Sequence, residues 1–155
     1  MPLLSPEINI LEKICTKVSK IIIRDFGEIE KLQVSKKGPG DFVTKTDRKV
    51  ESIIIEELEK ARPDYGFIAE ESGKNISDTE FNWVIDPIDG TSNFMHGIPH
   101  FAISIALEKK GEIVSGIICD PIKNETFYAE KGRGSYVNNR RIRVSSRKNL
   151  EEIIG

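Results

Sequence analysis

Phe81-Asn82-Trp83-Val84-Ile85-Asp86-Pro87-Ile88-Asp89-Gly90-Thr91-Ser92-Asn93-Phe94 is the stretch on which the reading of this chain turns. Its first five residues are aromatic or aliphatic with one exception, the composition of a buried strand. Asp86 follows at once, where an uncompensated charge is expensive, so a cation or a hydrogen-bond network is expected beside it. Pro87 fixes the backbone, a second acid returns at Asp89, and Gly90 leaves room for close approach of a ligand. Such a turn can aim two carboxylates and the Ile88 carbonyl at one point. Thr91 reads as the N-cap of a short helix through Ser92-Asn93-Phe94. Capping does not exclude function, because a helix N-terminus offers free N–H groups to a phosphate.

Upstream, Gly66-Phe67-Ile68-Ala69 is a second short strand, and it too ends in acids, Glu70-Glu71. Strand ends next to loops are where functional residues concentrate. Alone, a pair of adjacent acids has the composition of a solvated loop; beside the Asp86 turn it becomes a source of ligands. Oxygen donors without clustered His or Cys select a hard divalent cation, and magnesium is the usual one that also tolerates water and phosphate. Asp47 fits two descriptions equally, an early-helix acid favoured by the macrodipole or a catalytic acid. His96 and His100 flank Gly97 and Pro99 at a spacing poorly suited to a metal, and no role is assigned to them.

The remaining chain supplies a core. Ser5-Pro6-Glu7 opens a helix, and Ile8, Leu11, Ile14, Cys15, Val18, Ile21, Ile22 and Phe26 continue it as an apolar stripe. Lys36-Lys37-Gly38-Pro39-Gly40 reads as a loop. A second helix is expected to start near Thr44 to Asp47, to bury Val50, Ile53, Ile54, Leu58 and Ala61, and to end before Pro63. Strands are expected over 101–107 and 113–119, joined by a five-residue hairpin loop at 108–112. Further strands fall at 126–129, 135–137 and 141–144, with a turn at Asn138-Asn139. This predicts an α+β fold, two helices packed on a largely antiparallel sheet, in one domain without repeats or linkers.

Composition narrows the function. The chain has 155 residues, of which 23 Lys and Arg nearly balance 25 Asp and Glu, leaving a net charge of −2 and no field to attract nucleic acid or an anionic membrane. The cluster Arg140-Arg141-Ile142-Arg143 with Arg147-Lys148 reads as a solvated hairpin face, and nucleic acid binding is not expected. Cys15 and Cys119 show neither a disulfide framework nor zinc spacing, which suits a reducing cytoplasm. No apolar run approaches the ~20 residues that span a bilayer, so no membrane association is expected, and no signal peptide is visible.

Gly40-Asp41-Phe42-Val43-Thr44-Lys45-Thr46-Asp47, Gly66-Phe67-Ile68-Ala69-Glu70-Glu71-Ser72-Gly73 and Trp83 to Phe94 together resemble three successive N-terminal signatures of the inositol monophosphatase family. The likeness continues through Gly132-Arg133-Gly134-Ser135 to Val144-Ser145. It implies the layered αβαβα sugar-phosphatase fold, with residues 1–155 forming the N-terminal portion of a single domain whose C-terminal portion is absent. It implies that Glu70, Asp86 and the Ile88 carbonyl hold one Mg2+, and that Asp86 and Asp89 hold a second. Glu70, and Asp47 working with Thr91, would orient the attacking water, and Asp89 with the Gly90 and Thr91 backbone would meet the phosphate. Lys36, before the first motif, would approach the mouth of the site.

The activity so implied is a magnesium-dependent phosphomonoesterase, sensitive to lithium and dimeric in the family, acting on inositol 1-phosphate or another small phosphorylated polyol or sugar. Alternatives are a fructose-1,6-bisphosphatase or nucleotide phosphatase of the same superfamily, or an inactive fragment or RNA-linked regulatory module. The family's later tryptophan-aspartate signature, which donates the remaining metal ligand, has no counterpart here, since the sole tryptophan is Trp83. Little or no activity is therefore expected of the 155-residue chain alone. A sheet cut midway is also expected to expose apolar surface and an unpaired edge, and so to associate.

Overall fold

The computed structural model describes residues 4–32 and 38–153. Helix α1 (Pro6–Leu32) is opened by Ser5, whose hydroxyl accepts a hydrogen bond from the Ile8 amide at 3.2 Å. Ile8, Leu11, Ile14, Cys15, Val18 and Ile22 are buried as the periodicity predicts, the stripe runs on to a buried Ile29, and Ile21 and Phe26 are partly buried against it. Helix α2 (Gly38–Ala61) begins well before the expected Thr44 to Asp47, so Gly38, Pro39 and Gly40 are helical and not a loop. Proline so near a helix start lacks only an N–H that would have had no partner there, which is why Gly-Pro-Gly does not delay the helix. Its buried residues are Val43, Thr46, Asp47, Val50, Glu51, Ile54 and Leu58. Neither helix, nor any other among the described residues, is long and apolar enough to cross a membrane.

Eight strands follow: β1 (Gly66–Ala69), β2 (Gly73–Asn75), β3 (Phe81–Asp89), β4 (Ala102–Lys109), β5 (Glu112–Asp120), β6 (Glu125–Glu130), β7 (Gly134–Val137) and β8 (Arg140–Ile142), with a short helix α3 (Thr91–Met95) between β3 and β4. They form one sheet in the order β2-β1-β3-β4-β5-β6-β7-β8. β1 pairs with β3 in parallel and every other neighbour is antiparallel, so the α+β arrangement with two helices on a largely antiparallel sheet stands. The short β2 has no counterpart in the sequence reading, because Gly-Lys-Asn carries no β-forming side chain. The β4–β5 loop is two residues and not five. Lys110 and Gly111 both take positive φ, 50° and 81°, the primed turn that matches strand twist. Asn138 and Asn139 do the same between β7 and β8, at φ 45° and 66°.

The two faces of the sheet differ. One buries Trp83, Ile85, Ile105, Leu107 and Ile117 beneath α1 and α2. On the other, Ala106, Gly116 and Ala129 stand opposite one another as a low floor. Around it Ile118 is 50% exposed and Phe127 and Ile142 are each 37% exposed. A shallow groove of about 730 Å³ lies along this face. Bare apolar surface of this kind drives association. Light scattering of the purified chain is expected to show concentration-dependent assembly that Ile118→Lys with Phe127→Lys suppresses; a clean monomer at all concentrations would count against it.

Candidate functional site

The parallel pairing of β1 with β3 places Ala69 opposite Ile85, so both strands end at the same edge of the sheet. Carboxyl ends of neighbouring parallel strands are where open sheets gather their ligands. Glu70 leaves β1 there, its amide donating to the Ile85 carbonyl at 3.3 Å, and Asp86 lies beside it on β3. The segment read as a turn after the strand is part of the strand. Asp86 faces Ser104 and Asp89 faces Ala102, three steps on β3 against two on β4, so one extra residue is inserted between the acids. Three residues apart, two side chains on a regular strand point to opposite faces. The bulge returns Asp89 to the side of Asp86.

Helix α2 brings the third acid. With the helix starting at Gly38, Asp47 is not in the first turn but near its middle, 4% exposed, and the macrodipole explanation falls away. Burial first, then the charges of Glu71, Glu70, Asp86 and Glu51, push its carboxyl up to about 7. Burial likewise leads at Asp86, followed by the hydrogen bond and charge of Glu70 and the charge of Asp89, against the Ile88 amide; its carboxyl also rises to about 7. One oxygen of each, Oδ1 of Asp47 and Oδ1 of Asp86, is buried without a hydrogen-bond partner. Among the described residues no Lys, Arg or His pairs with Asp47, Glu70, Asp86 or Asp89; Arg48 reaches only Glu71, at 3.9 Å.

Such a donor set, hard oxygens under mutual repulsion with two orphaned buried atoms, fits a divalent cation better than it fits a structural network. Among the described residues no three Asp, Glu, His or Cys side chains are gathered as a finished ion shell. The Ile88 carbonyl, a backbone oxygen, lies outside any side-chain cluster.

The next turn departs from expectation in two ways. Gly90, at φ 94°, and not Thr91, is the N-cap of α3; Thr91 is its first residue and donates its hydroxyl to the Ile88 carbonyl at 3.0 Å. The space beside Gly90 belongs to the chain itself. A Cβ there would meet the His100 carbonyl at 3.0 Å and Phe101 Cα at 3.3 Å, so glycine is required by conformation and by close backbone packing. His96 and His100 are exposed, and His96 Nδ1 lies 2.7 Å from the Ser92 carbonyl. Lys36 falls outside the described residues. The sequence reading missed Glu51, which is fully buried one helical turn beyond Asp47; an acid set between Val50 and Ile54 on the apolar stripe was the available signal.

The model of the inositol monophosphatase family matches residues 3–155. The chain is 51% identical over 149 residues to an inositol-1-monophosphatase of Rhizobium meliloti, covering 95% of this chain and 56% of that protein. It is 41% identical to a protein of Xylella fastidiosa named Nus factor SuhB, over 94% of this chain and 52% of that one. The crystal structure of the extragenic suppressor protein suhB from Bartonella henselae superposes with a TM-score of 0.83 at 50% identity, covering 94% of this chain and 57% of that one. The chain thus spans about half the length of the curated relatives it matches. With family model, relatives and fold in agreement, the chain belongs to the inositol monophosphatase family.

Proposed function

We propose that this chain carries the cation-binding half of a magnesium-dependent phosphomonoesterase acting on inositol 1-phosphate or a similar small phosphorylated polyol, as the N-terminal portion of a single domain. The observation that carries the reading is the pair of orphaned carboxylate oxygens on Asp47 and Asp86, converging from a helix and a strand with no basic side chain among the described residues to answer them. The names of relatives about half identical to it support the substrate class.

Bound magnesium would supply neutralisation of the phosphoryl oxygens and acidification of a water. Glu70, Asp86 and the Ile88 carbonyl would hold one ion, and Asp86 with Asp89 a second. The Ile88 carbonyl accepts one hydrogen bond from Thr91 and keeps a second lone pair for the cation. Because the Thr91 hydroxyl spends its proton on Ile88, its oxygen is left as an acceptor toward a water. Asp47 and Glu70 would accept hydrogen bonds from that water and orient it for in-line attack. Asp89 with the backbone of Gly90 and Thr91 would hold the phosphate.

The sign of the pH response follows from the acids. Asp47 and Asp86 rise from 3.8 to about 7 on folding, so between these values the folded chain holds protons that the unfolded chain has released. Stability is therefore expected to fall as pH rises from about 4 to about 7. A cation binds the deprotonated acids and reverses the loss. Thermal melts should show a larger gain from Mg2+ at pH 8 than at pH 5; equal gains would contradict the site.

Activity is tested by extending the chain with the C-terminal remainder of the Rhizobium meliloti relative. The extended protein should release phosphate from inositol 1-phosphate only with Mg2+, and Asp86→Asn should lower the rate roughly 100-fold or more. The 155-residue chain alone should show little or no release, and a substrate panel including fructose 1,6-bisphosphate and nucleotides fixes specificity. A second reading, RNA binding, is favoured by the relatives named Nus factor SuhB and by the exposed Arg140, Arg141 and Arg143 at the β8 edge, where Arg141 lies over the Tyr136 ring at 5.8 Å. It requires salt-dependent RNA binding by this chain that is lost when the three arginines become alanine; salt-independent or absent binding removes it.

A further inference from the structure

We infer that Glu51 is a positioning residue for the cation site, fixing the 70–72 turn and with it the direction in which Glu70 is presented. The inference rests on the phosphatase reading above. Glu51 is 0% exposed, and its carboxylate accepts three hydrogen bonds from this one turn. The Glu71 amide donates to Oε2 at 2.8 Å, the Ser72 amide to Oε1 at 2.8 Å, and the Ser72 hydroxyl makes a short bond to the same Oε1. On the other side of Glu70, its own amide is tied to the Ile85 carbonyl of β3. Glu70 is thus bracketed, β3 holding the chain before its side chain and α2 holding it after.

Simple satisfaction of backbone groups does not call for this. Glu71 and Ser72 are exposed, and water would satisfy their amides. A wholly buried carboxylate is costly, and here it converges all its donors on two successive residues. The need arises from the acids. Asp47, Glu70, Glu71 and Asp86 repel one another, a force that drives an exposed turn outward. Anchoring the backbone at 71 and 72 resists it while leaving the Glu70 carboxylate free to ligate. Asp47 and Glu51 sit one turn apart on the same face of α2, so one helix places both an acid of the site and the anchor of its neighbour.

Glu51→Gln keeps the shape but turns one acceptor into an NH2 group facing an N–H donor. In the 155-residue chain, Mn2+ binding measured by electron paramagnetic resonance should weaken about tenfold or more, the range found when groups orienting metal ligands are altered. Amide exchange at Glu71 and Ser72 should accelerate, with the circular dichroism spectrum unchanged. A role in stability alone would lower the melting temperature and leave Mn2+ affinity of the folded chain at the wild-type value, and that result overturns the inference while sparing the phosphatase reading. Failure of the wild-type chain to bind Mn2+ overturns both. Should Glu51→Gln not fold, Ser72→Ala decides: it removes one part-buried donor to Glu51, and about a threefold loss of affinity is expected, with no loss overturning the inference.

Discussion

The parallel register of β1 against β3 is the constraint from which the site follows. Ala69 beside Ile85 makes the two strands end together, so Glu70 and Asp86 meet without either strand bending. An antiparallel pairing of the same two segments would carry Glu70 to the far end of Asp86's strand, and no loop rearrangement would repair it. The acids then repel across that shared edge. The core beneath offsets the cost: Trp83 and Ile85 on β3, and Val50 and Ile54 on α2, are almost wholly buried within a few residues of the charges. Apolar packing fixes the elements, and the elements hold the acids where electrostatics alone would scatter them.

Much of this was legible in the sequence. The three-and-four stripe of α1, the short runs at Phe67 and Trp83, and the meander that follows are periodic signals, and periodicity reports burial directly. The acids at strand ends were visible because Asp86 follows an apolar run without a break. What escaped has a common cause in backbone geometry. Gly38-Pro39-Gly40 carries the composition of a loop yet sits where a helix start tolerates it. Lys110 adopts positive φ for the sake of strand twist, which no side-chain pattern announces. Glu51 reads as one more charged residue on a helix until the turn that faces it is known.

The face opposite the helices shows how layered folds divide their labour. Alanine and glycine on the central strands lower the floor at Ala106, Gly116 and Ala129, while Ile118 and Phe127 rise beside it. Low floors with apolar walls are what a packed layer requires of a sheet, and the relatives are nearly twice as long as this chain. The site itself lies at the edge where β1 and β3 end, and α2, β1 and β3 supply its acids.

The extra residue between Asp86 and Asp89 also sets what kinds of change this motif can survive. Exchanging either acid there alters one carboxylate and leaves the ladder alone. Regularising the ladder with all four residues kept would rotate Asp89 to the reverse surface, whereas deleting one of the two residues between the acids would remove the bulge and leave Asp89 opposite Ala102, on the side of Asp86. What the extra residue adds is therefore less the side on which Asp89 stands than a second intervening position, so that both Pro87 and Ile88 fit between the acids and the Ile88 carbonyl meets the Thr91 hydroxyl.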